Sequence, residues 1–280
     1  MLKVTDHDRN AAGLRYVYPV VSRRAGGVSV GVNLNPNNAC NWRCIYCQVP
    51  DLVYGRGPKL DLGRLERELR QLLGEIVDGE FMQRHVPPEA RRLVDVAFSG
   101  NGEPTSSPDL CAAVDLVGGV MRDLGLLGST GLVLITNGSL VQRPEVERAL
   151  ERLAQLDGEV WFKLDSATAE GARQICGTAL DPERHVARLR RAAELCRTRI
   201  QTCVFARRGE PPSAEEQEAY LACLRSLVDR GVPVRGVLLY GLARPSLQPE
   251  ASELSPLPRP WMEDFASRIE ALGLPVRLDP

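Results

Sequence analysis

The sequence contains no run of about eighteen apolar residues, so nothing in it reads as a transmembrane helix. Its first ten residues, Met1 to Asn10, lack the apolar core of a secretory signal, and a cytoplasmic location is expected. It also lacks a charge excess. With 35 basic and 36 acidic residues the net charge is −1, which gives no electrostatic footprint for nucleic acid or for an anionic membrane. No internal repeat, low-complexity segment or linker interrupts it. A single domain over residues 1–280 is therefore expected, with a core at about 28–242, an N-terminal extension at 1–27 and a C-terminal segment at 243–280. That is long for one domain, but α/β barrels reach this length as single units. Apolar residues make up 44%, enough for a sizeable core. Eight cysteines without a secretory signal read as reduced thiols in a cytosol, not as a disulfide framework.

Strand and helix patterns alternate along the chain. Residues 1–27 are polar and irregular, and a first strand is expected from Val28. Further strands are expected at 93–98, 132–135, 159–165, 200–205 and within 232–242. Helices are expected at 60–77, 109–124, 144–156, 182–197, 213–230 and 261–272. Asp181 and Ser213 are plausible helix caps, and Pro144 suits a first turn. Residues 78–92 and the proline-rich 243–259 are read as loops, and 275–278 as a short tail. Six strands alternating with helices predict a parallel sheet, helices outside, in a partial (β/α)6 TIM-like barrel.

The first strand runs into Cys40-Asn-Trp-Arg-Cys44-Ile-Tyr-Cys47. Three thiols this close cannot all pair as disulfides, but they can converge on one metal centre. A structural zinc site needs four ligands, and no fourth Cys or His lies nearby. A 4Fe-4S cluster held by three cysteines leaves one iron open to a small molecule.

With Tyr46 just before the last cysteine, this Cys-x3-Cys-x2-Cys pattern resembles the signature of the radical S-adenosylmethionine (SAM) superfamily. The resemblance implies Cys40, Cys44 and Cys47 as ligands of a 4Fe-4S cluster, Tyr46 among the cofactor-binding residues, and SAM chelated by the open iron. It also implies reductive cleavage of SAM to methionine and a 5′-deoxyadenosyl radical, which abstracts hydrogen from a substrate. A reducing partner such as flavodoxin or ferredoxin is expected. The partial barrel is the core that these enzymes share.

Other residues fit that pattern. Gly102-Glu103 ends the second strand and resembles the Gly-Gly-Glu motif that holds the SAM amino group, although Asn101 interrupts the glycine pair. Thr136-Asn137-Gly138 ends the third strand and suits hydrogen bonds to a ribose or carboxylate; the same triplet is common in strand-ending turns. Lys163 and Asp165 share a face of the fourth strand, and buried charges need partners. They can pair with each other or bind the ribose or carboxylate of SAM, and a lysine Schiff base is a further option. Cys203 shares a strand face with Gln201 and is a candidate hydrogen-atom donor. Cys111, Cys196 and Cys223 read as core residues within helices and Cys176 as a loop residue. No second close cysteine spacing appears, so one cluster is expected. Segment 243–259 is expected over the barrel mouth with Arg244, and Arg23 and Arg24 are candidates for meeting an anion.

Within the superfamily, Ser22-Arg-Arg-Ala-Gly-Gly, the cysteine motif through Gln48, and Arg244-Pro-Ser resemble small proteins loosely related to the enzymes of tRNA-wyosine synthesis. The substrate stays open: small molecule, peptide or RNA, including glycyl-radical activation. Two rivals are an iron-sulfur electron-transfer or metal-binding protein without SAM chemistry and a zinc-stabilised interaction module. Glu103 and Asn137 separate the first, because an electron carrier has no use for a polar methionine cradle. The missing fourth ligand argues against the second.

Overall fold

The computed structural model describes residues 13–22 and 26–280. Arg23 and Arg24 lie outside the described residues. Eight strands lie side by side in chain order: β1 (Val17–Ser22), β2 (Gly27–Val32), β3 (Leu93–Phe98), β4 (Gly131–Thr136), β5 (Glu159–Lys163), β6 (Arg197–Cys203), β7 (Val234–Tyr240) and β8 (Val276–Asp279). β1 is antiparallel to β2, and every other neighbouring pair is parallel. The sheet curls into a half-barrel, a partial TIM-like fold.

The helices are α1 (Leu62–Val77), α2 (Leu110–Asp123), α3 (Pro144–Gln155), α4 (Ala169–Cys176), α5 (Pro182–Leu195), α6 (Ala214–Asp229) and α7 (Arg259–Glu270). Asp61, Thr168, Asp181 and Ser213 cap α1, α4, α5 and α6, each accepting from the backbone N–H three residues on. The strands alternate between two buried layers. Val96, Phe98, Leu132, Leu134, Val160 and Phe162 join the main core with helix residues such as Leu65, Leu69 and Leu153. Ala97, Val133, Trp161 and Leu238 form a separate inner cluster. This two-sided burial is what a parallel sheet requires, and each fully buried large side chain contributes about 1.5–3 kcal/mol.

The structure departs from the sequence reading at several places. The region expected to be irregular contains β1, whose Val17, Val20 and Val21 are buried. Pro19 is tolerated there because β1 is an edge strand with one unpaired side. The expected tail is β8, which pairs with β7. Residues 78–92 hold a short helix, Phe81–His85, and a 3-10 turn, Pro88–Ala90. Segment 243–259 contains a 3-10 turn, Pro249–Glu253, and Leu254–Ser255, which pairs with Ala206–Arg207. Cys176 is the last residue of α4 rather than a loop residue, and Cys196 follows α5 in extended conformation. Among the described residues no helix is long and apolar enough to cross a membrane.

Candidate active site

A cavity of about 280 Å³ lies at the C-terminal ends of the strands, lined by Cys40, Cys44, Cys47, Tyr46, Glu103 and Lys163 among others. The three cysteines reach it on the loop after β2. All are free thiols. The loop is held on three sides. Asn35 Nδ2 donates to the Ala39 carbonyl at 2.9 Å and to Ser106 Oγ at 3.1 Å. Arg43 N and Ile45 N donate to the carbonyls of Cys176 and Ile175, at 3.1 and 2.9 Å. These carbonyls end α4 and have no partner within their own helix. On the third side the Ser246 hydroxyl donates to the Ile45 carbonyl at 2.7 Å, and Gln248 Nε2 to the Val49 carbonyl at 3.0 Å. Segment 243–259 thus packs against the cysteine loop, and Arg244 lines the cavity.

Glu103, 3% exposed, follows β3 and accepts four internal hydrogen bonds. Thr105 N, Thr105 Oγ1 and Thr136 Oγ1 donate to Oε1, at 3.0, 2.6 and 2.6 Å. Asn137 N donates to Oε2 at 2.7 Å. Burial pushes its pKa up, and these donors pull the other way. A carboxylate oxygen has two lone pairs, so Oε2 retains room for a further donor. Gly102 is required by its own surroundings: a Cβ there would lie 1.9 Å from the Ala39 carbonyl oxygen. The close approach is to the cysteine loop. Asn101, the departure from a paired glycine, ties the same loops through N–H to Asn33 Oδ1 at 3.1 Å and Nδ2 to Asn38 Oδ1 at 2.7 Å.

Asn137 lines the cavity, and its Nδ2 donates to Asn41 Oδ1 at 2.9 Å, inside the cysteine motif. Thr136 does not line it; its hydroxyl is committed to Glu103. Gly138 has φ +70°, and a Cβ there would lie 2.0 Å from Phe162 Cε2, so the turn after β4 demands glycine.

Lys163 ends β5 and lines the cavity, whereas Asp165 sits one layer behind it. Their charged atoms are 3.4 Å apart. The Tyr46 hydroxyl joins them, donating to Asp165 Oδ2 at 2.5 Å and accepting from Lys163 Nζ. Asp165 Oδ1 accepts from Cys203 N at 3.0 Å. Burial works against the Lys163 charge, but the charges of Asp165 and Cys44 outweigh it and hold its pKa well above the usual lysine range. Burial pushes the Tyr46 phenol well up and the Cys40 thiol to about 12. Cys203 and Gln201 both line the cavity, as their shared strand face predicted.

Sequence reasoning missed Cys176. Its thiol is buried, and its Sγ, Cys44 Sγ and an Asp165 carboxylate oxygen all lie within 4.8 Å of one another. The closeness of the two thiols draws the Cys44 pKa down and pushes that of Cys176 up. The missed signal was Thr168, a cap three residues before Gly171, which opens a helix ending at Gly177 in left-handed conformation.

The half-barrel and its cysteine-lined mouth define a radical SAM protein. The Radical SAM superfamily model matches residues 34–213, and the chain belongs to that superfamily. Members of that superfamily use a 4Fe-4S cluster and SAM. The donor set of this chain fits them, with three thiols on one cavity wall beside a buried carboxylate. In structure it resembles a radical SAM methyltransferase from Sphaerobacter thermophilus, with a TM-score of 0.61 and 15% identity over 90% of this chain and 66% of that one. That likeness concerns the fold. In sequence it is similar to UPF0026 protein MJ1312 of Methanocaldococcus jannaschii, 28% identical over 157 residues, which is 56% of this chain and 42% of the relative. It is also similar to the GTPase Obg of Brachyspira hyodysenteriae, 26% identical over 132 residues, or 47% of this chain and 17% of that protein. The matches span less than half the length of either curated relative.

Proposed function

We propose that this chain is a radical SAM oxidoreductase in which Cys40, Cys44 and Cys47 hold the cluster. The observation that carries the reading is the meeting of these three thiols with Glu103 and Asn137 at one cavity. When bound, the reduced cluster supplies the electron that cleaves SAM to methionine and a 5′-deoxyadenosyl radical able to abstract hydrogen from a substrate. Glu103, with the backbone at Gly102, offers the acceptor for the SAM ammonium, and Thr136 holds Glu103 in place. Asn137 offers its amide to the ribose or carboxylate. Tyr46 and Asp165 fix the Lys163 ammonium at the cavity wall, where it can meet an anionic group. Cys203 stands beside them as a hydrogen-atom donor. Leu242, Ala243 and Arg244 wall one side and help exclude water from a reactive intermediate. An electron carrier without SAM chemistry would not need a buried carboxylate supplied with four donors and facing the cavity.

An electron donor of the flavodoxin or ferredoxin kind and a cytosolic compartment accompany this reading. The substrate classes it admits are a small molecule, a peptide (including a protein activated as a glycyl radical) and, as in wyosine synthesis, a tRNA. The net charge of −1 gives tRNA the least support. Anaerobic reconstitution, followed by incubation with deuterium-labelled cell extract, tests the reading. Deuterium should appear in 5′-deoxyadenosine. A reconstituted, reduced protein that yields no 5′-deoxyadenosine at all would contradict it.

A further inference from the structure

The cysteine loop is gripped on both sides of Cys44 by the end of α4, through Arg43 N to the Cys176 carbonyl at 3.1 Å and Ile45 N to the Ile175 carbonyl at 2.9 Å. Gly177 fixes the same junction: its φ is +62°, and a Cβ there would lie 2.6 Å from the Arg43 carbonyl oxygen. The backbone therefore sets Cys176 next to Cys44, whatever rotamers the two side chains take. The Cys176 thiol is 2% exposed; its S–H donates to Asp165 Oδ2 at a long 3.7 Å, and its Sγ lies within 4.8 Å of Cys44 Sγ. That oxygen already accepts from Tyr46 at 2.5 Å and faces Lys163 at 3.4 Å. The other carboxylate oxygen accepts from Cys203 N at 3.0 Å. Asp165 is thus well supplied with donors, and the Cys176 proton can turn to the sulfur beside it. A ligating Cys44 is a thiolate, which only accepts.

We infer that Cys176 is a positioning residue whose S–H donates to the Cys44 sulfur and sets the reduction potential of the centre that Cys44 helps to hold. The inference rests on the proposed role of Cys44. Hydrogen bonds to cluster sulfurs stabilise the more negative, reduced state and so raise the potential. Cys176 is not a fourth ligand in this arrangement, and the number of cluster thiols stays at three.

The test is an anaerobic redox titration, followed by electron paramagnetic resonance, of the reconstituted full chain beside its Cys176→Ala and Cys176→Ser variants. All three should bind the same iron. The Ala variant should be harder to reduce, its midpoint shifted to more negative potential, and the Ser variant, which keeps an O–H donor, should return most of the way to wild type. A merely structural role would leave the potential unmoved in both variants and would overturn the inference. Loss of iron in the Ala variant with retention in Ser would make Cys176 a ligand and overturn it as well. Should the Ala variant fail to fold, a Ser midpoint no closer to wild type than that of Cys176→Val would do the same. A wild type that takes up no cluster fails at the earlier step and overturns the cluster assignment together with this inference.

Discussion

The Tyr46 hydroxyl donates to Asp165 Oδ2 at 2.5 Å across 119 residues of sequence. One carboxylate thereby joins the cysteine loop, the end of β5 through Lys163, the end of β6 through Cys203 N, and the end of α4 through Cys176. The Asp165 side chain is fully buried and its charge cannot turn to water for compensation, whereas that of Lys163 is 16% exposed at the cavity wall. Removing one partner of a buried pair costs about 3–5 kcal/mol. Asp165→Ala should lose stability on that order in urea denaturation, and Tyr46→Phe less, at about 1–3 kcal/mol. Equal stability of Asp165→Ala and wild type would mean that the pair is solvated.

Glu103→Ala removes the acceptor of four donors, two of them backbone N–H groups that become orphaned inside the protein. It also removes the charged acceptor offered to the SAM ammonium, a bond worth roughly 1.5–3 kcal/mol, or about a 10- to 150-fold rise in Kd. Anaerobic equilibrium binding reads this directly, and an unchanged Kd would remove Glu103 from the SAM site.

Much of this was legible in the sequence, for identifiable reasons. The strands from β2 to β7 each carry a short apolar run, followed by a helix with helical spacing, and polar residues such as Glu103 and Asn137 sit just past strand ends. β1 was illegible because Pro19 interrupts Val17-Tyr-Pro-Val-Val, and a proline reads as a breaker until the strand is known to be an edge. β8 has four residues between Pro275 and Pro280, too few to show a period. α4 has eight residues and little apolar periodicity, so Cys176 was placed in a loop. The anchoring of Glu103 by Thr136 and Asn137 depends on contacts across 33 and 34 residues, and no local pattern carries it.

His185 makes stability depend on pH. It is 1% exposed, its Nε2 lies 2.9 Å from the Lys163 carbonyl, and its ring packs 4.8 Å from that of Phe162. Burial lowers its pKa from 6.5 to about 4. Between these values the unfolded chain binds a proton that the folded chain refuses. Stability therefore falls as the pH drops from 6.5 towards 4, by up to about 3 kcal/mol from this group. Denaturation midpoints at pH 7 and pH 5 should differ more in wild type than in His185→Phe. The same difference in both would show that the ring is solvated.

Ser246 and Gln248 pin the proline-rich segment to the cysteine loop, whereas the exposed Arg43–Glu250 pair, at 2.6 Å, contributes at most about 1 kcal/mol. Limited proteolysis within residues 243–259 should be accelerated markedly by the Ser246→Ala and Gln248→Ala double variant and little by Glu250→Ala. SAM should slow cleavage in wild type, since Arg244 lines the cavity. Cleavage at one rate with and without SAM would show that the segment does not guard the mouth.

The most direct measurement is the formation of 5′-deoxyadenosine from SAM by the anaerobically reconstituted, dithionite-reduced protein, set beside Cys40→Ala, Cys44→Ala and Cys47→Ala. Wild type should take up four irons and release 5′-deoxyadenosine at least slowly without substrate, and each variant should lose both the brown chromophore and the product. Three single variants that keep full iron and full product formation would contradict the assignment of the cluster to these cysteines.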